Sequence, residues 1–152
     1  MTETESGIYL DTNAFVYAVQ AGTEMAAPML HFFSEMARLK RKPLTSELTL
    51  AEVLCKKDLT PALHEVYRDL LIESETVELV QVTREIIFAS AEMRRAGAPL
   101  KLQDAIHVAT AMSTRCKFML TNDAGVRVPP NGMVVLPPTH EGIAQILSAL
   151  HV

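Results

Sequence analysis

The sequence predicts an α/β fold built on a mainly parallel sheet, and three observations carry that prediction. Short apolar runs of strand length alternate with longer runs of helical spacing, the pattern of crossover units in which a helix returns the chain to the start of the next parallel strand. The chain has 152 residues, 49% of them hydrophobic, which is enough to fill one core behind such a sheet. Two of the apolar runs also deliver an aspartate at their exits: Asp11 after Ile8-Tyr9-Leu10, and Asp123 after Phe118-Met119-Leu120-Thr121-Asn122. In open α/β sheets, ligand sites lie in the crevice beyond the carboxyl ends of the strands.

The elements follow in order. A first strand covers about 7–11. A helix begins near Thr12, carries Phe15, Val16 and Val19 on one face, and stops at Gly22. A second helix, about 25–40, takes Pro28 in its first turn and sets Met29, Leu30, Phe33, Met36 and Ala37 at helical spacing. It ends in Arg38, Lys40, Arg41 and Lys42, cations that suit a helix C-terminus. Residues 43–46 form a brief strand, and a helix runs from Thr49 to about Lys57. Thr60-Pro61 reads as the cap and first residue of a helix over 61–73, with Leu63, Val66, Tyr67, Leu70 and Leu71 inward. Val77 to Val82 is a strand; Thr83 caps a helix that ends at Gly97. Residues 98–101 link to a helix that starts near Leu102–Asp104 and runs to about Thr114. A strand follows over Lys117–Thr121, then a proline-bearing loop at 128–132, and a last strand over Met133–Leu136. Thr139 caps a closing helix with Ile143, Ile146, Leu147 and Leu150 on one face. Nothing divides the chain, so it reads as one domain over 1–152, with a core at about 7–137 and the closing helix at about 139–151.

Composition narrows the function. Aromatics are 5%, tryptophan is absent and methionine occurs eight times, so the core is aliphatic. A net charge of −4 argues against a protein that coats nucleic acid with a basic surface. Cys55 and Cys116 lie too far apart in sequence for metal-ligand spacing and read as reduced, half-buried thiols. The acidic start, Met1 to Glu5, is unlike a signal peptide, and no apolar run approaches membrane-spanning length. The expectation is a cytoplasmic protein.

Four acids are the candidate site. Asp11 can cap the helix that begins at Thr12 or Asn13, or it can serve as a ligand; Asn13 could cap in its place. Glu52 fits a capping box with Thr49, and equally a position facing the same crevice. Asp104 suits the positive end of its helix, with His107 one turn on and within reach of a hydrogen bond to it. Asp123 lies in ordinary turn chemistry but repeats the position of Asp11 at a strand exit. Brought together, four carboxylates repel one another, and a hard divalent cation such as Mg²⁺ or Mn²⁺ would relieve that repulsion. Carboxylate-held metals are an established route to phosphodiester hydrolysis.

At these residues the sequence resembles the PIN-domain family of metal-dependent ribonucleases, many of which are VapC-type toxins of toxin–antitoxin pairs. The resemblance spans about Ile8 to Leu136. It rests on Leu10-Asp11-Thr12-Asn13, on the stretch Thr45 to Glu52, on the stretch Leu102 to Ala111, and on Leu120-Thr121-Asn122-Asp123. It implies a three-layer α/β/α fold and a Mg²⁺ or Mn²⁺ site from Asp11, Glu52, Asp104 and Asp123. It further implies that Thr12, Asn13 and Thr121 orient those carboxylates or the attacking water. An RNA substrate, a small antitoxin partner and a homodimer also follow from it. One departure stands out: where the family often carries an aromatic after the last acid, this chain reads Asp123-Ala124-Gly125-Val126-Arg127.

The resulting expectation is an endoribonuclease preferring single strands, its RNA guided by Arg38, Lys40, Arg41 and Lys42, by Lys56 and Lys57, or by Arg94 and Arg95. An RNA-processing role outside a toxin–antitoxin pair and a non-catalytic protein-interaction module are the alternatives. A phosphohydrolase with Asp11 as nucleophile is disfavoured, because Asn13 stands where such enzymes carry a second acid.

Overall fold

The computed structural model describes residues 7–20, 22–123, 126 and 132–150. The chain runs β1 (Ile8–Leu10), α1 (Thr12–Gln20), α2 (Thr23–Arg38), β2 (Leu44–Ser46), α3 (Leu48–Leu54), α4 (Pro61–Arg68), β3 (Glu78–Val80), α5 (Arg84–Arg95), α6 (Leu102–Ser113), β4 (Phe118–Leu120), β5 (Val134–Leu136) and α7 (His140–Leu150). The strands form one sheet in the order β3-β2-β1-β4-β5, and every neighbouring pair is parallel. The strand order reverses between β1 and β4. That is the switch point at which loops diverge to opposite faces and leave a crevice. Asp11 and Asp123 follow these two strands.

Each regular strand is three residues long, shorter than the sequence pattern suggests. The ladder nevertheless continues one step at the carboxyl edge: the Asp11 N–H donates to the Leu120 carbonyl, the Thr121 N–H to Leu136 and the Glu47 N–H to Val80. The first residue beyond β1, β2 and β4 is therefore held by the sheet although it has left the strand.

Strand alternation builds two cores, giving the three-layer α/β/α arrangement. Ile8 and Leu10 face α1, α2, α4 and α7 through Phe15, Met29, Phe32, Met36, Tyr67 and Ile146. Tyr9 and Met119 face the other way, onto Ala105, Val108 and Ala111 of α6. The small residues of α6 allow that helix to sit close to the sheet. Thr60 and Thr83 cap their helices through bonds from the N–H groups of Leu63 and Ile86, as their sequence context indicates. Gly97, at φ 99°, supplies the left-handed turn after α5. Thr139 accepts from the Gly142 N–H at the start of α7. Among the described residues no helix is long and apolar enough to cross a membrane.

Several expectations are corrected. Gly22 does not stop α1 in a left-handed turn; its extended φ of −60° and ψ of 163° make it the residue that opens α2. Because α2 starts at Thr23, Pro28 falls inside the helix rather than in its first turn. The buried face of α2 is also rotated. Phe32 is fully buried, while Leu30 is 55% exposed and Ala37 lies on the surface. The large ring takes the place in the core that the spacing gave to Leu30. On α4, Tyr67 is buried and Val66 is 47% exposed for the same reason. The helix expected over 61–73 changes to a π-helical turn over Asp69–Glu73, which lets Leu71 reach the core. Helix α3 ends at Leu54, short of Lys57, because its last N–H bond is that of Cys55 to Ala51. Of the two cysteines, Cys55 is exposed and Cys116 buried, rather than both half-buried. The predicted loop at 128–132, apart from Gly132, and the segment Met1 to Glu5 lie outside the described residues.

Candidate active site

The carboxyl edge at the switch point carries the four acids. Asp11 is the first residue past β1 and is 5% exposed. Its Oδ1 accepts from the Thr12 N–H at 2.8 Å and its Oδ2 accepts from the Thr121 hydroxyl at 2.6 Å. Thr121 in turn accepts from the Asp123 N–H at 3.1 Å. One hydroxyl thus ties the acid after β1 to the acid after β4. Asn13 does not cap; its Oδ1 accepts from the Asn122 N–H at 3.3 Å and joins the same two loops.

Glu52 reaches the edge from α3. The capping box expected with Thr49 is absent, since α3 begins at Leu48 with Glu47 before it and no side-chain cap. Thr49 is instead buried inside the helix, its hydroxyl 2.7 Å from that of Thr45, which donates to the Leu10 carbonyl. Glu52 is released from capping and its Oε1 accepts from the Thr12 hydroxyl at 2.8 Å and from His107 Nε2 at 2.6 Å. Burial works to raise the Glu52 carboxyl, but the hydrogen bond and charge of His107, with the Thr12 bond, outweigh it and hold it below its ordinary value.

Asp104 stands in the first turn of α6, as its sequence position indicates. Its carboxyl is raised to about 6: burial contributes most, followed by a hydrogen bond with Asp123 and the negative charges of Asp123 and Asp11. Asp104 is therefore close enough to Asp123 and Asp11 for their charges to act on it. Repulsion of this kind at a crevice is a mark of a functional site.

His107 is the residue whose place the sequence did not reveal. It was expected to bond Asp104. In the fold it is 1% exposed, and its nitrogens are engaged by the Tyr9 hydroxyl at Nδ1 (2.6 Å) and by Glu52 at Nε2, with Thr12 Oγ1 at 3.2 Å and Asp11 Oδ1 at 3.5 Å. The i+3 spacing from Asp104 marked His107. Nothing in sequence links it to Tyr9, 98 residues away.

The donor set suits a hard cation. The four acids supply carboxylate oxygens, and the imidazole of His107 is occupied by Tyr9 and Glu52. Among the described residues no group of three or more His, Cys, Asp or Glu side chains is placed so as to hold a metal ion as it stands. The chemistry of the donors, carboxylate oxygen, is the kind that hard divalent cations prefer.

A parallel five-stranded α/β/α sandwich with clustered acids at its switch point defines the class of protein to which this chain is similar. The PIN domain profile matches residues 8–129, and the chain belongs to the PIN-domain family. Among solved structures, a DNA-bound VapBC from Salmonella typhimurium matches with a TM-score of 0.64 at 20% identity, over 86% of this chain and 97% of that one. A toxin–antitoxin complex from Klebsiella pneumoniae matches with a TM-score of 0.63 at 21% identity, over 86% and 97%. VapBC2 from Rickettsia felis, bound to a promoter DNA fragment, gives 0.62 at 17% identity, over 84% and 96%. At these identities the likeness is one of fold. No curated protein matches the sequence.

Proposed function

We propose that the protein is a Mg²⁺- or Mn²⁺-dependent endoribonuclease acting as the toxin of a toxin–antitoxin pair. The observation that carries this reading is the convergence of Asp11, Asp104 and Asp123 at the edge where ligands of open α/β sheets bind, with Asp104 raised to about 6 by burial first and then by the hydrogen bond and charge of Asp123 and the charge of Asp11. Asp11, Asp104 and Asp123, with Glu52, would hold the cation. When bound, it supplies Lewis-acid charge to the scissile phosphate and the attacking water. The chain's own residues do the rest. Thr121 holds Asp11 and the backbone of Asp123 in one arrangement, and Thr12 and His107 hold Glu52.

For the RNA backbone, topology separates two of the three basic groups. Arg38, Lys40, Arg41 and Lys42 immediately precede β2 and so lie toward the amino edge, away from the acids. Arg94 and Arg95 close α5 where the chain turns into α6, with Arg94 Nε donating to the Leu100 carbonyl at 2.9 Å. Asp104 is two residues past the start of that helix, so this pair is the better placed to meet phosphates entering the crevice.

The small antitoxin partner and the toxin homodimer belong to the same reading, supported by the family and by the toxin–antitoxin assemblies that share the fold. The test is cleavage of single-stranded RNA in Mg²⁺ or Mn²⁺ by the wild-type chain and by Asp11→Asn. The wild type cleaves, chelation abolishes cleavage, and Asp11→Asn loses at least about 100-fold. Equal cleavage by the mutant would overturn the assignment.

A further inference from the structure

A buried imidazole must satisfy both nitrogens. The partners of His107 tell which nitrogen carries the proton. The Tyr9 hydroxyl lies 2.6 Å from Nδ1 of His107. Tyr9 is fully buried, and that burial raises its hydroxyl well above the ordinary value, which keeps it a phenol and a donor. A carboxylate can only accept, so Nε2 carries a hydrogen toward Glu52. Its nearest acceptor is Glu52 Oε1 at 2.6 Å, ahead of Thr12 Oγ1 at 3.2 Å and Asp11 Oδ1 at 3.5 Å.

The Thr12 hydroxyl donates to the same oxygen of Glu52 at 2.8 Å. Two donors, one from α1 and one from α6, thus converge on Oε1. Short bonds to an ionised acceptor are among the strongest a protein makes. The glutamate side chain is 30% exposed, and both of these hydrogen bonds fall on Oε1 rather than Oε2. A long carboxylate on a seven-residue helix would otherwise sample several rotamers. Here a chain of contacts from the centre of the sheet, Tyr9 to His107 to Glu52, removes that freedom.

We propose that His107, anchored by Tyr9, is a positioning residue of the acid cluster: it pins Glu52 by one oxygen and presents the other to a divalent cation. This rests on the metal-dependent reading above. Partners that orient metal-binding side chains typically contribute 10–100-fold in metal affinity.

The experiment is a calorimetric Mn²⁺ titration of the full chain, as wild type, His107→Leu, His107→Gln and Tyr9→Phe, with thermal unfolding in parallel. His107→Leu weakens Mn²⁺ binding by about 10–100-fold while unfolding stays cooperative. His107→Gln, whose amide can donate to Glu52, recovers part of the loss. Tyr9→Phe keeps the ring, frees the imidazole, and weakens binding in the same direction by less. A histidine with only a structural role would lower the unfolding temperature and leave the affinity of the folded protein unchanged, so wild-type affinity in folded His107→Leu overturns the inference. If His107→Leu does not fold, Tyr9→Phe decides: weakened binding supports the inference and unchanged binding overturns it. A wild-type chain that takes up no Mn²⁺ overturns the metal reading and this inference with it, an outcome distinct from equal binding by wild type and variant.

Discussion

Replacing Asp104 by asparagine separates what the acid cluster does for stability from what it does for function. Asp104 titrates at about 6 in the fold against an ordinary 3.8. That displacement corresponds to about 3 kcal/mol against the charged form. Asp104 is only partly buried, and solvent screening reduces the figure to about 1 kcal/mol. The sign follows from proton counting. Between pH 4 and 6 the unfolded chain has released the proton that the folded chain keeps, so folding stability falls as pH rises through that window. Below it both forms are neutral and the aspartate costs nothing; above it the cost is constant. In EDTA at pH 7.5, Asp104→Asn is therefore more stable than the wild type by about 1 kcal/mol, or about 2–4 °C in Tm for a chain of this size. The gap closes as the pH is lowered toward 4. Saturating Mg²⁺ reverses the order, because the cation stabilises the wild type in proportion to its affinity and the mutant has lost a ligand. Thermal unfolding by circular dichroism at several pH values, with and without Mg²⁺, reads all of this. A mutant less stable than the wild type in EDTA at pH 7.5 would show that neither burial nor the neighbouring acids disfavour the charged Asp104, and the argument would fail.

Two further substitutions test the packing behind the site. Phe32→Ala removes a fully buried ring and destabilises by about 3–5 kcal/mol, whereas Leu30→Ala, at an exposed position two residues earlier, stays within about 0.5 kcal/mol in urea denaturation; comparable losses would contradict the orientation of α2. Gly142→Ala places a methyl group against the Pro137 carbonyl oxygen, a backbone atom that cannot move aside alone, and lowers stability by about 1–3 kcal/mol. A neutral result in the same assay would mean that the entry to α7 is looser than the Thr139 cap requires.

What local chemistry controls was readable along the chain. The caps at Thr60, Thr83 and Thr139 were visible because a hydroxyl finds its acceptor role within three residues. The parallel sheet and its layers were visible because alternation of strand and helix leaves few other ways to bury both faces. Asp11 and Asp123 were placed at strand exits for the same reason. Errors fell where two local solutions compete and packing selects one. Leu30 and Phe32 both fit a helical stripe, and only the volume of the core decides between them. Thr49 and Glu52 fit a capping box, yet the sheet already held Thr45 where the Thr49 hydroxyl could reach it, so the helix began one residue earlier.

The sequence by itself determined the class of fold, the family and the set of acids that stand at one edge. Each follows from residue type and spacing, which act over a few positions. Only the tertiary structure decided how those acids are held. Asp11 shares a hydroxyl with Asp123 through Thr121, and Glu52 is pinned by a histidine and a threonine from two other helices. That histidine is braced by a tyrosine in the central strand. These bonds join residues as far apart as 110 positions in sequence. Their energies depend on distances of about 3 Å and on the exclusion of water, and both exist only once the layers have closed over the sheet.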